Sequence, residues 1–354
     1  ELSKSVPSVR PTIDWPRGQV ERLWHTSEVL ADNPWNDPAT REVGVYLPHG
    51  YTEGTTPHVA LWDLAAYTNA GPGHLNWRNH GENLVTRLDR LIGSGAMEPA
   101  VVVIPDCYTS LGGNQYVNSA AVGRYADYLV DELIPFVESR FNVVPSREGR
   151  ALFGKSSGGY GALYHAMKFP QHWGAVASHA GDIGFELLFK GEFPLACSIL
   201  SAFKGDFQAF ISAFWSKNRP TGRDFTVMMI LAMAASYDPD TKNPARLRLP
   251  FDLRTCEIDA ERWRNWMAFD PLEILENGGA EALKQMHGLY IDVGMYDQYN
   301  IQYGSRRFTD RLAGLGIDFR YEEFEGTHSA IDWRLDQSLP FLANTLKNAV
   351  AGAT

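Results

Sequence analysis

The 354-residue chain is short of cysteine, of clustered positive charge and of long apolar runs, and each shortage removes a class of protein. Its three cysteines, Cys107, Cys197 and Cys256, are odd in number and far apart, which fits neither a disulfide framework nor a zinc site. Lys and Arg number 32 against 42 Asp and Glu, for a net charge of −10, and the basic residues are scattered. Such a surface repels phosphate backbones, so nucleic acid is not an expected partner. The longest apolar stretch, Val227–Ala235, falls short of the roughly 18–20 residues that cross a bilayer and reads as a buried helix segment. No His-Glu-x-x-His metal motif and no Gly-x4-Gly-Lys-Ser/Thr phosphate loop occurs. No basic segment running into an apolar stretch marks a leader, which leaves the cytoplasm as the default expected compartment.

What is present is an ordinary globular composition, 44% apolar and 21% charged, in a chain long enough to bury a large core. Residues 1–19, rich in Pro and Ser, read as an irregular arm. Strands are then predicted at Val20–His25, Glu42–Leu47, His58–Leu64 and Ala100–Ile104, with a helix over Gly81–Ile92 and helical spacing over Ser119–Phe141. The alternation continues with strand Gly149–Phe153, helix Gly158–Phe169 and strand Ala175–Ser178. After a break it resumes with strand Gly288–Val293, helix Ile301–Leu315, strand Asp318–Phe324 and a last helix over Leu335–Ala349. Alternating strands and helices predict an α/β fold, a mostly parallel sheet with helices on both faces. The break, 183–263, is rich in Phe and Met and reads as an inserted helical cap, leaving 20–182 and 264–354 as one catalytic domain. The Phe and Met residues suggest a pocket for an apolar or aromatic group; alternatively the cap packs its own apolar faces together.

The segment Gly154-Lys155-Ser156-Ser157-Gly158 is a Gly-x-Ser-x-Gly motif. Alone the pattern is weak, but a predicted strand leads in and a predicted helix leads out, the context of a nucleophile elbow. Ser156 is then the candidate nucleophile, and the backbone N–H of Ser157 points to a developing oxyanion. A serine hydroxyl needs a base, and in this arrangement the chain order is Ser, then Asp or Glu, then His. Two histidines lie well beyond the cap. His287 precedes a strand, at the wrong end for the site, whereas His328 follows the last strand in a Gly-containing loop. For the acid, Asp297 sits three residues past Gly294, beyond the strand end. Asp292, inside the strand, is the second choice and reads better as a structural hydrogen-bonding group.

Four stretches together resemble one family: Val45-Tyr46-Leu47-Pro48-His49-Gly50-Tyr51, the elbow Gly154–Gly159, Gly294-Met295-Tyr296-Asp297 and Gly326-Thr327-His328. They are similar to the putative-esterase family of α/β-hydrolases, which holds enterochelin esterase-like proteins, feruloyl and acetyl-xylan esterases, S-formylglutathione hydrolases and mycolyltransferases. The resemblance runs over roughly residues 20–350. It implies an α/β-hydrolase fold, a Ser156–His328–Asp297 triad, a small-molecule ester as substrate and no metal or cofactor. The chain departs from the family after the third strand, where Trp62-Asp63-Leu64-Ala65 has leucine in place of the glycine of the usual His-Gly or Asp-Gly pair. The expected first oxyanion donor there is the Ala65 N–H. The cap is also longer than in compact members. The expected activity is a serine esterase working through an acyl-enzyme. The alternatives are an acyltransferase using the same triad and a non-catalytic binding protein on the same fold. Trp24, Trp62, Trp77 and Trp215 could stack on sugars, although tryptophans mostly fill cores.

Overall fold

A computed structural model describes residues 15–52 and 56–353. Eight strands form one sheet: β1 (Gln19–Thr26), β2 (Thr40–Leu47), β3 (Val59–Leu64), β4 (Ala100–Pro105), β5 (Arg150–Lys155), β6 (Ala175–His179), β7 (Gly288–Gly294) and β8 (Arg320–Phe324). Their order across the sheet is β1-β2-β4-β3-β5-β6-β7-β8. Pairing is antiparallel between β1 and β2 and between β2 and β4, and parallel from β4 through β8. The sequence explains the layout. β3, β4 and β6 are buried at every residue, so both faces of the sheet must be covered. The edge strands β1 and β8 keep charged residues and partial exposure.

The longer helices are α1 (Leu84–Gly93), α2 (Ser157–Lys168), α3 (Phe193–Ala202), α4 (Phe207–Ser216), α5 (Gly222–Tyr237), α6 (Ala260–Met267), α7 (Ile301–Gly314) and α8 (Leu335–Ala353). On one face, Leu88 and Leu91 of α1 and Leu339, Leu342 and Leu346 of α8 pack on Val102, Ile104 and Phe153. On the other face, Tyr160, Leu163 and Ala166 of α2 join a larger cluster that runs on into the helices between β6 and β7.

Those helices, α3 to α6, occupy the stretch expected to form the cap, and α6 spans the expected boundary at residue 263. Val227–Ala235 lies inside α5, whose residues Val227, Met228, Ile230, Leu231 and Ala234 are all buried; an apolar helix of this kind sits within a core. Among the described residues no helix is long and apolar enough to cross a membrane. Most of the expected arm, residues 1–14, lies outside the described residues.

One expected element differs. Helical spacing over Ser119–Phe141 predicts a single helix, but Asn118–Ser119 and Gly123–Arg124 form a small hairpin and the helical stretch covers only 125–138. The Ser119 hydroxyl accepts the N–H groups of Ala121 (3.0 Å) and Val122 (3.2 Å), a local bond that competes with helix, and Gly123 takes φ +133°. Within the helical stretch, Tyr128–Leu133 widens into a π turn ahead of Pro135, which has no N–H and whose ring crowds the preceding turn.

Candidate active site

β5 ends at Lys155 and α2 begins at Ser157, so Ser156 must turn the chain alone. It does so at φ 54°, ψ −119°, a conformation that costs on the order of 1–3 kcal/mol and persists only when its surroundings hold it. The Ser156 N–H donates to the His179 carbonyl (2.9 Å), and its own carbonyl accepts the Tyr160 N–H (2.8 Å). The flanking glycines are sterically required. A Cβ on Gly154 would lie 2.5 Å from the Leu64 carbonyl oxygen, and one on Gly158 would lie 1.9 Å from it. The elbow thus presents the Ser156 hydroxyl at the C-terminal end of the parallel strands.

Two loops converge on that hydroxyl, one after β7 and one after β8. They are held together by Met295 N–H to the Phe324 carbonyl (2.9 Å) and Tyr296 N–H to the Gly326 carbonyl (2.9 Å). Gly294 permits the approach, since a Cβ there would meet the Gly326 and Thr327 carbonyl oxygens at 2.5 and 2.6 Å. His328 Nε2 lies 2.9 Å from Ser156 Oγ and His328 Nδ1 lies 2.7 Å from Asp297 Oδ2. Because a carboxylate only accepts, Nδ1 carries the proton and Nε2 is left to accept the serine O–H. The other Asp297 oxygen accepts the Tyr299 N–H (2.8 Å), and Gln298 Oε1 accepts the His328 backbone N–H (2.9 Å). Both Asp297 and His328 are buried.

Asp292 goes elsewhere. It is fully buried in β7 and accepts from His179 Nδ1 (2.7 Å), Arg334 Nε (2.7 Å) and the Tyr290 hydroxyl (2.9 Å), which ties β6, β7 and the segment before α8 together. His287 stands just ahead of β7, at the end remote from Ser156, and its N–H bonds the Gly174 carbonyl (2.7 Å).

Ser157 opens α2, where backbone N–H groups have no partner within the helix and the helix dipole favours negative charge. Ala65 follows β3, and its carbonyl accepts the Tyr116 hydroxyl (2.6 Å). The adjacent Ala66 lines the same cavity as Ser156 and Ser157. That cavity holds about 310 Å³. Phe225, Met229 and Met233, on one face of α5, roof it together with Leu188 and Phe189. Phe193, Phe210 and Phe214 instead pack on other aromatic rings of residues 183–263, so the Phe and Met residues of that stretch divide between the cavity wall and packing among themselves. Of the four tryptophans singled out for sugar stacking, Trp62 is buried against Trp173, while Trp24, Trp77 and Trp215 are exposed away from the cavity lining. Among the described residues no group of three or more His, Cys, Asp or Glu side chains is placed to hold a metal ion.

Asp182, which sequence reasoning passed over, also lines the cavity. It sits three residues past β6, and a carboxylate just beyond a parallel strand was the available signal. One of its oxygens accepts from Gln115 Nε2 (3.1 Å), and burial pushes its pKa up to about 6. A carboxyl whose pKa is raised on folding binds more protons in the folded state. Its contribution is therefore fully present below the unfolded value near 3.8 and is lost as pH rises through about 6. At about 1.4 kcal/mol per pKa unit, the loss approaches 3 kcal/mol. Asp182→Asn removes this titration. Its melting temperature relative to the wild type should rise from pH 4 to pH 7 and then level off; a constant difference across that range would contradict the assignment.

The family described as "Putative esterase" matches residues 38–340. Esterase Rv1288 of Mycobacterium tuberculosis is 35% identical over 92 residues, a match covering 24% of this chain and only 19% of that protein. Among solved structures, a ferulic acid esterase superposes with a TM-score of 0.59 at 16% identity, covering 94% of this chain and 100% of its own. An S-formylglutathione hydrolase from Staphylococcus aureus gives 0.58 at 15% identity, covering 92% and 99%. At these identities the superpositions establish the shared fold.

Proposed function

The chain belongs to the putative-esterase family, and we propose that it hydrolyses a carboxylic ester through an acyl-enzyme on Ser156. The observation that carries this reading is the unbroken hydrogen-bonded line Ser156–His328–Asp297 at a strained strand–helix turn. His328 Nε2 takes the Ser156 proton as Oγ attacks the ester carbonyl, and Asp297 holds the imidazole tautomer and balances its positive charge. The Ser157 N–H, with a second backbone donor at Ala65, receives the oxyanion; one such donor is typically worth about 10²–10³ in rate. His328 then protonates the departing alcohol. A water deprotonated by the same imidazole releases the acid and restores Ser156. No step calls for a metal or cofactor. The apolar roof that Phe225, Met229 and Met233 of α5 lay over the cavity favours an ester with an apolar or aromatic group, of which ferulate, named for the structural neighbour, is one example.

The test is turnover of short p-nitrophenyl esters with product analysis in the presence and absence of an added alcohol. Free acid as the product under both conditions supports hydrolysis. A transesterified product that dominates at modest alcohol concentration would make the chain an acyltransferase. Folded protein with no turnover would favour the non-catalytic alternative.

A further inference from the structure

A second cavity, of about 270 Å³, lies beside the first and shares Ala66 and Lys155 with it. Leu84 of α1 and Leu335 of α8 place it on the opposite face of the sheet from α2. The first cavity is roofed by apolar side chains, whereas charged ones dominate the second, and most of these are matched. His74 pairs with Asp63, Arg78 with Asp332 (2.8 Å) and Arg87 with Asp336. Glu82 is taken by Arg90 (2.7 Å). Lys155 is the exception. It is half-buried, directly precedes Ser156, and its ammonium makes no hydrogen bond or ion pair among the described residues. Burial pulls its pKa below the usual lysine value, and the opposing pull of the Asp332 and Asp297 carboxylates is the smaller effect. In a chain of net charge −10, a cation without a partner stands next to the nucleophile.

We propose that Lys155 recognises an anionic ester: a carboxylate or phosphate on the half of the substrate that enters the polar cavity pairs with its ammonium while Ser156 attacks the ester carbonyl. This rests on the esterase reading above. Pairing supplies the charge-assisted hydrogen bonds that the protein leaves unmade at Nζ, and these are stronger than neutral ones. The matched pairs around it keep the walls from repelling the anion.

Two matched substrate pairs test this and tell which half carries the charge. In 3-acetoxybenzoate and 3-acetoxybenzamide the charge is on the leaving alcohol; in 4-nitrophenyl hemiglutarate and 4-nitrophenyl pentanoate it is on the acyl group. The readout is the ratio of kcat/KM for the anionic over the neutral member. For one pair, Lys155→Met should lower that ratio about tenfold, the usual scale of a partly exposed charge-assisted bond, and Lys155→Arg should largely restore it. The wild-type ratio for the same pair should fall as salt is raised. Ratios that Lys155→Met leaves unchanged for both pairs would overturn the proposal. Should the variant lose all activity through damage to the elbow, the salt response decides, and a flat wild-type response overturns it. A wild type that hydrolyses none of the four esters and takes up no fluorophosphonate is a different result, one that removes the esterase reading itself.

Discussion

Ser156→Ala is expected to lower kcat toward p-nitrophenyl esters by about 10⁵–10⁶, the scale seen when a triad nucleophile is removed. The fold should survive. Both backbone bonds that hold the turn, to His179 and from Tyr160, involve main-chain atoms that alanine retains. Alanine and serine bear similar strain at φ 54°, and the substitution removes the 2.9 Å hydrogen bond between the hydroxyl and His328 Nε2. The melting temperature should therefore stay within a few degrees of the wild type. Turnover within tenfold of the wild type in a folded Ser156→Ala protein would mean that the reaction does not pass through this hydroxyl.

The second large effect separates the two aspartates of the β7 segment. In Asp297→Asn, the Tyr299 N–H still requires an acceptor, so the amide oxygen takes that position and the NH2 group faces His328. Nδ1 must then accept, its proton moves to Nε2, and the imidazole can no longer act as base toward Ser156. A wrong-tautomer change of this kind costs about 10⁴ in kcat in serine proteases. Asp292→Asn should act on stability instead. Its two oxygens take three donors, one from the Arg334 guanidinium, and an amide cannot accept them all. Breaking a buried charge pair costs about 3–5 kcal/mol. The expected pattern is a folded but nearly inactive Asp297→Asn and a thermally weakened Asp292→Asn that keeps far more turnover per folded molecule. Parallel measurements of kcat and melting temperature on both variants check it, and the reverse pattern would exchange the two roles.

Much of the sheet was readable from the sequence because its central strands are buried on both faces and carry unbroken apolar runs such as Ala100–Ile104. The elbow was readable for a similar reason: the glycines that the tight turn requires stand at fixed offsets from Ser156. Asp297 could be separated from Asp292 because it lies past Gly294 and so past the strand end. The hairpin at 118–124 escaped because its cause is a hydroxyl bonding two nearby N–H groups, which leaves no periodic trace. Asp182, Gln298 and the polar cavity at Lys155 escaped for a different reason. Each acquires its role from residues more than twenty positions away in the chain, such as Gln115 against Asp182 or Gln298 against the His328 N–H. The first oxyanion donor was hard to place because Leu64 stands where the family resemblance leads one to expect glycine. Its neighbourhood became visible only through Ala66 beside Ser157 and the Tyr116 hydroxyl on the Ala65 carbonyl.

Fluorophosphonate labelling read by intact mass and peptide mapping tests the nucleophile most directly. The expected result is one adduct per chain, on Ser156, absent in Ser156→Ala and strongly slowed when His328 is replaced by alanine. No adduct on the folded wild type, or an adduct on Ser157 or another serine, would contradict it.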